Sequence, residues 1–524
     1  MSVNGLTFLG FLFAFVILYY CFPKKARWVV LLVSSVAFYL SYSIKASLYL
    51  AFTVVFTYCF SRVLGRLSLV KPAGDTPELK KRAKAGLKFK KRAVLTVAII
   101  VNFFTLALLK YSGFVINNIN NIGKLAGFGA LPVPKLLLPL GISFYIFQTT
   151  GYLIDLYRGK YPPEKNILKY ALFVSFFPQM VQGPINRHNH LAPQLYEGNA
   201  FDVENFQQGL LRMMLGILKK AMIADPLAKI VSAVYSDPSA YPGAFVFIGV
   251  ALYCVRLYCD FSGGVDLLNG AARLFGIKMA ENFEQPYFAV SLSDFWRRWH
   301  ISLGEWMKDY LFYPLALSKG FARMTKRARR IFPSAFAKRI APCLATFIVF
   351  LAVGAWQGPG WANIAYGLWN GGLMSLAMLW VPVSDKLSKR FNFKVNKKLM
   401  TVIAILRTNL LVIIGRYFSN SASLRGALGM LKVTALNPRF SDMSFALFEQ
   451  LGLTPSVVIK LAIALCILFC ISLAKEKGKD VVEWFCNRHA LIQYALLLAG
   501  LFIIVFAVYA NTDYTPIAYV YENV

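Results

Sequence analysis

Long apolar runs recur along the chain with short polar intervals between them. Runs near 3–22, 28–44, 47–64, 93–113 and 138–157 read as membrane-crossing helices, because about 20 apolar residues in helical conformation span the hydrocarbon. Further runs lie near 167–181, 206–224, 242–259, 341–356, 361–381, 400–418, 455–474 and 490–510. Several contain polar residues and read as re-entrant or buried. The pattern predicts an all-α, polytopic integral membrane protein with about 10–13 membrane helices. With no internal repeat or low-complexity linker, residues 1–524 read as one membrane-embedded domain, with helices over 400–510 at its C-terminal end.

Composition agrees with that pattern. Of 524 residues, 57% are hydrophobic and only 15% charged, too few to cover a soluble body of this size. The first apolar run has no basic flank before it and no small-residue cleavage site after it, so it reads as a membrane helix rather than a signal peptide. The net charge is +33, but the basic residues sit in short clusters between apolar runs. That placement argues for topology signals and contact with membrane lipid, and against nucleic-acid binding. Lys24, Lys25 and Arg27, then Lys80–Arg92, then Arg158, Lys160 and Lys165 fall on one face if the intervening spans alternate. That face is expected to be cytoplasmic and the N-terminus extracytoplasmic, in a multi-pass protein of the plasma membrane. Two later basic stretches, Lys319–Arg339 and Lys386–Lys398, follow the same logic. The Lys80–Arg92 run also has the charge to meet an acidic carrier protein, although a topology signal accounts for it.

Residues Asp260–Leu315 differ from the rest: charged and aromatic residues interleave with no long apolar run. Ionisable groups between membrane spans are expensive to place against lipid, which makes them functional candidates. Ser293–Met307 reads as a helix with Ser293 as N-cap and Asp294 in its first turn. Asp294 can reach Arg297 and Arg298 at i+3 and i+4. Trp296, His300, Leu303, Gly304 and Met307 would share another face, with Gly304 leaving room beside His300. A neutral imidazole in a partly dry pocket suits a general base for a hydroxyl. A structural histidine hydrogen-bonded inside a bundle is an equal reading at this point. His188 and His190, at i,i+2 with no third ligand, make a weak metal signal, and His489 lies in a charged loop. The eight cysteines show no C-x-x-C spacing; Cys466 and Cys470 share a helix face but lack zinc partners nearby.

The phrase FWRRWHISL at Phe295–Leu303 resembles the signature of the membrane-bound O-acyltransferases of the alginate O-acetylation type. LPLGISFYIFQTTGYLIDLYRG (Leu138–Gly159), FFPQMVQGPINR (Phe176–Arg187), GLLRMMLGILKKAMIADPLA (Gly209–Ala228) and CDFSGGVDL are similar to that branch in the same order, with core motifs over 138–371. The resemblance implies a ring of membrane helices around a funnel and tunnel. It implies an acyl donor such as acetyl-CoA or an acylated carrier protein as substrate, with no bound cofactor or metal. The acceptor would be an extracytoplasmic polysaccharide, reached through a secreted or membrane-anchored partner acyltransferase. A related branch transfers D-alanyl groups to teichoic acid. His300 matches one of two functional family histidines. The second falls at Gln357, within VGAWQGPGW, and Asn370 offers no imidazole either. Glutamine hydrogen-bonds a carbonyl or hydroxyl but is no base near neutral pH. Two readings follow: an active enzyme with His300 as base or shuttle and Gln357 orienting the acyl carbonyl, or an impaired member acting as channel or scaffold. A transporter is a third reading, without the internal repeat many transporters show.

The orientation is checked by cysteine labelling. A cysteine placed by Lys84→Cys should resist an impermeant thiol reagent in intact cells; ready labelling would reverse the topology.

Overall fold

The structure is a computed structural model and describes residues 5–73, 75–134, 136–391, 396–506 and 517–520. Most of those residues are helical. The only β-type pairing among them is an isolated antiparallel bridge between Phe283 and Trp299. Among the described residues, seven helices are long and apolar enough to cross a membrane. In chain order, the helices that matter here are α1 (Leu6–Cys21), α2 (Arg27–Tyr42), α3 (Ile44–Leu69), α4 (Pro77–Leu125), α5 (Ile142–Tyr157), α6 (Val203–Lys219) and α7 (Gly243–Leu274). They continue with α8 (Leu292–Arg298), α9 (Ile301–Met307), α10 (Ser334–Gln357), α11 (Trp361–Phe391), α12 (Lys397–Ser419), α13 (Pro455–Glu476) and α14 (Ala490–Ile504). The spanning set is α3, α4, α7, α10, α11 (over Trp361–Leu387), α12 and α13; α1 and α14 are shorter apolar helices.

Several expected runs take a different form. The run at 167–181 is two pieces, Ile167–Ser175 and Phe177–Met180, parted at Phe176, whose ψ of 111° is not helical; Pro178 sits in the first turn of the second piece, where its missing N–H costs no helix hydrogen bond. The run at 206–224 ends as α-helix at Lys219 and continues as one π turn over Lys220–Ala224. The basic run Lys80–Arg92 is helix, not loop. It forms the first part of α4, a 49-residue helix opened by the Thr76 cap, whose hydroxyl accepts from the Leu79 N–H at 3.3 Å. At 1.5 Å per residue, α4 is roughly 74 Å long, more than twice the hydrocarbon thickness. Its basic residues are exposed from Lys80 through Lys84. The last expected run, 490–510, is helix over Ala490–Ile504; residues 507–516 lie outside the described residues, as does most of the C-terminal segment.

Contacts gather the chain into two compact units. The first comprises residues 1–215, 264–280 and 518–524. Its centre is α5, where almost every residue from Ile142 to Leu156 is buried. Several buried polar groups there are matched inside the protein, as an apolar surround favours. The Tyr39 hydroxyl donates to the Leu140 carbonyl at 2.8 Å, Thr57 and Tyr170 hydroxyls pair at 2.8 Å, and Gln148 donates to Gln179 at 2.6 Å.

The second unit comprises residues 216–263 and 281–517. Its tightest helix pair is α10 against α11. A Cβ on Gly354 would lie 2.5 Å from the Asn363 carbonyl oxygen and 2.7 Å from the Gly367 Cα. Small residues permit such backbone approach, which drives helix association in lipid. By contrast, only 6% of the α13 spanning window is buried; its apolar side chains, Ile459, Ile463, Ile467 and Phe469 among them, face outward.

Gly354→Ala is therefore expected to cost about 1–3 kcal/mol through overpacking. Gly372→Ala on α11 meets no atom within 4 Å and should leave stability unchanged or slightly improved. Thermal unfolding of both variants in detergent checks the contrast.

Candidate functional site

The expected single helix over Ser293–Met307 is two helices, α8 and α9, broken between Trp299 and His300. The N-cap is Ser291 rather than Ser293; its hydroxyl accepts from the Asp294 N–H at 3.1 Å. His300 occupies the left-handed region, φ 48° and ψ 54°. A non-glycine residue holds that conformation only where its surroundings impose it, a common feature of functional positions.

The surroundings that impose it are visible. Asn282 runs antiparallel to the break. Its carbonyl accepts from the Ile301 N–H at 3.0 Å, and its Oδ1 accepts from the Ser302 N–H at 3.1 Å and the Ser302 hydroxyl at 2.6 Å. The Glu284 N–H donates to the Arg298 carbonyl at 3.0 Å on the other side. Two helix ends are thus met by one segment, Asn282–Glu284, which supplies partners that the helices cannot supply themselves.

Aromatic rings wall the break. Phe261 meets the His300 imidazole edge-on at 4.9 Å, and Trp356 lies 5.9 Å from it. Trp299 stacks on Phe295 at 5.6 Å and meets Phe283 edge-on at 5.1 Å. His300 is 1% exposed. Burial disfavours the imidazolium and pulls the His300 pKa down to about 3, so the ring is neutral at physiological pH.

The supporting residues divide. Asp294 binds Arg297 at 2.5 Å and Arg298 at 3.1 Å, as the i+3 and i+4 spacing anticipates. Partial burial pushes the Asp294 carboxyl up, but the hydrogen bonds from Arg297 and Arg298 outweigh it and hold the group below its ordinary value. Arg298 also bridges to Glu476 on α13 at 2.6 Å, a partner 178 residues away that local spacing does not reveal. Trp296 is half-buried, and its indole N–H donates to the Asn370 carbonyl oxygen at 3.1 Å. The expected common face of Trp296, His300, Leu303, Gly304 and Met307 does not form, because the break turns α9 away from the line of α8. His300, Leu303 and Met307 are buried, whereas Gly304 is exposed. Gly304 meets His300 through the backbone, donating its N–H to the His300 carbonyl at 3.1 Å. Gln357 is the half-buried last residue of α10, directly after the Trp356 that flanks the imidazole.

Sequence reading missed a buried charge cluster in the same unit. At the π turn, Lys220 reaches Asp260 at 2.6 Å and Asp225 at 2.8 Å, and all three are nearly sealed from solvent. The signal available was charge inside the apolar runs KKAMIADPLA and CDFSGG. The two histidines outside this unit are placed apart from each other. His188 packs among Tyr152, Tyr161 and Phe173, while His190 is exposed.

Comparison with known proteins adds a family. The model of the membrane-bound O-acyltransferase family matches residues 162–331, which include both the charge cluster and His300. The chain is 33% identical to a probable alginate O-acetylase AlgI of Azotobacter vinelandii, over 71% of this chain and 67% of that protein. It is 31% identical to the probable alginate O-acetylase AlgI of Pseudomonas aeruginosa, over 82% and 73%. It is also 31% identical to a peptidoglycan O-acetyltransferase of Helicobacter pylori, over 65% and 64%.

Breaking a buried ion pair on one side leaves an uncompensated charge and costs about 3–5 kcal/mol. Lys220→Met should therefore lower the thermal unfolding temperature sharply, while Arg297→Gln, whose side chain is 66% exposed, should change it little.

Proposed function

Because the chain belongs to the membrane-bound O-acyltransferase family and is an acyltransferase, we propose that it moves an acetyl or similar small acyl group across the plasma membrane. The acceptor is an extracytoplasmic cell-surface polysaccharide. The donor in this reading is acetyl-CoA or an acylated carrier protein on the cytoplasmic side. A secreted or membrane-anchored partner acyltransferase completes delivery. The chain works as one membrane-embedded domain, its helices ringing a tunnel, with its N-terminus outside. The relatives named for alginate and peptidoglycan O-acetylation support the acceptor class.

The observation that carries the catalytic part is the placement of His300. It is a neutral imidazole at a backbone break held in a strained conformation by Asn282 and walled by Phe261 and Trp356. In the proposed step, a hydroxyl attacks the acyl carbonyl carbon while the His300 imidazole takes its proton. The acyl–sulfur bond then breaks, and the proton passes to the departing thiolate. The burial that keeps the ring neutral also makes it a weak base, so the imidazolium must form paired with the negative charge of the attacking oxygen. Gln357 supplies an amide donor to the acyl carbonyl. Asp294, Arg297, Arg298 and Trp296 hold α8, and through it the position of the break. The competing reading is an impaired member acting as channel or scaffold, for which Gln357 in place of histidine is the motive.

A positioned base contributes about 10²–10⁴-fold to rate. His300→Ala should remove surface acylation by at least that factor, Gln357→Ala should weaken it modestly, and Gln357→His should change little. The measurement is acyl content of the surface glycan in a strain lacking the native gene, at matched protein levels. A large gain from Gln357→His would move the base to that position. Silence of wild type and Gln357→His alike would favour the scaffold. D-alanyl rather than acetyl groups on the glycan would redirect the acceptor to teichoic acid.

A further inference from the structure

Arg416 lies in the last turn of α12, a spanning helix, and is 3% exposed. A guanidinium stays charged wherever it is placed, so its surroundings must supply compensation. Nη1 donates to the Tyr366 hydroxyl at 3.0 Å. The guanidinium carbon stands 5.1 Å from the Trp299 ring centroid and 5.5 Å from that of Tyr366. Nε and Nη2 meet no hydrogen-bonding oxygen or nitrogen among the described residues, and the Cys254 thiol is the one neighbouring group placed to bond the guanidinium weakly. Among the described residues, the groups that act most on its charge are Tyr366, Cys254, Tyr287 and Tyr253, phenols and a thiol.

Two other cations of this unit, buried Lys220 and partly buried Arg298, are paired with carboxylates. Lys220 has two carboxylates, and Arg298 has Asp294 and Glu476. Cation–π contact with Trp299 and Tyr366 offsets part of the cost of placing Arg416 at depth, but it satisfies neither free N–H edge. Nε and Nη2 form the parallel pair of donors whose spacing matches two oxygens of one carboxylate or phosphate. Trp299, on which the guanidinium rests, immediately precedes His300. The Tyr235 hydroxyl donates to the Arg416 backbone carbonyl at 2.9 Å and fixes the turn that presents it.

We infer that Arg416 is an anion-binding residue beside the Trp299–His300 break, whose Nε–Nη2 edge takes a carboxylate or phosphate oxyanion of one of the two substrates. Its assignment to a substrate rests on the acyltransferase reading above. Two sources carry that chemistry: the phosphates of a thioester donor and the carboxylate of an acidic sugar in the acceptor.

The test is binding without turnover, on the purified full-length protein in nanodiscs. Coenzyme A is compared with uncharged pantetheine, and an oligomannuronate with a neutral oligomannose of equal length. Wild type should bind one anion at least about tenfold more tightly than its neutral analogue. Arg416→Gln should erase that preference, a loss of about 10–100-fold for a hydrogen bond to a charged group. Arg416→Lys should retain part of it, since it keeps the charge but not the paired donors. A preference for coenzyme A assigns the site to the donor; a preference for the oligouronate assigns it to the acceptor. Absence of either preference in wild type overturns the inference, as does a preference that survives Arg416→Gln. If Arg416→Gln does not fold, undiminished preference in Arg416→Lys overturns it. Failure of both variants to fold marks Arg416 as a structural cation and overturns it too. Because no acyl transfer is measured, a negative result here is distinct from failure of the enzymatic proposal.

Discussion

The side-chain amide and backbone carbonyl of Asn282 set the conformation of the segment on which the candidate site depends. By taking the N–H groups of Ile301 and Ser302, Asn282 gives α9 an N-terminal partner outside its own chain direction. That frees α9 from continuing α8, and the two short helices turn at Trp299–His300. Every other feature of the site follows from the turn. Trp299 swings into the aromatic stack of Phe295 and Phe283, and His300 is pressed between Phe261 and Trp356. Replacing the Asn282 carboxamide would leave the buried Ser302 N–H and hydroxyl without their acceptor, while the Ile301 N–H would keep the Asn282 backbone carbonyl.

Charge is handled in three ways within one unit. Lys220 is enclosed with Asp225 and Asp260 where the helix widens to a π turn. Such a turn adds one residue and redirects the side chains around it; here it coincides with the burial of the lysine. Arg298 is tied locally to Asp294 and distantly to Glu476, so α8 is anchored to α13. Arg416 rests on π-faces. The first two arrangements are closed within the protein. The third leaves the Nε and Nη2 donors without an oxygen or nitrogen partner among the described residues.

The apolar runs made the membrane helices legible, because length and composition alone decide whether a segment crosses lipid. The Asp294–Arg297–Arg298 grouping was legible for a similar reason: i+3 and i+4 neighbours meet on any helix. The break at His300 was not. Apolar and aromatic positions continue with helical spacing across Trp299 and His300, and the residue that interrupts them, Asn282, lies 18 positions earlier in a loop. The same limit hid Glu476, Asp260 as partner of Lys220, and the cage around Arg416, all of them contacts between segments far apart in sequence. Gly304 misled for a related reason: its place on a helical wheel assumes a helix that does not continue through His300. The family resemblance located His300 and Gln357, but not the conformation in which His300 is held.

The helix α4 has a further property. Its hydrogen bonds run without interruption from the basic turns at Lys80–Arg92 to Leu125, so it contains no hinge. Along the same rod, Asn102 is buried and donates to Thr150 on α5 at 3.4 Å. The basic turns and the buried Asn102 therefore belong to one continuous helix. A single rod thus carries both a charged end suited to a polar or anionic surround and a polar contact sealed inside the first unit, roughly 15–33 Å apart at 1.5 Å per residue.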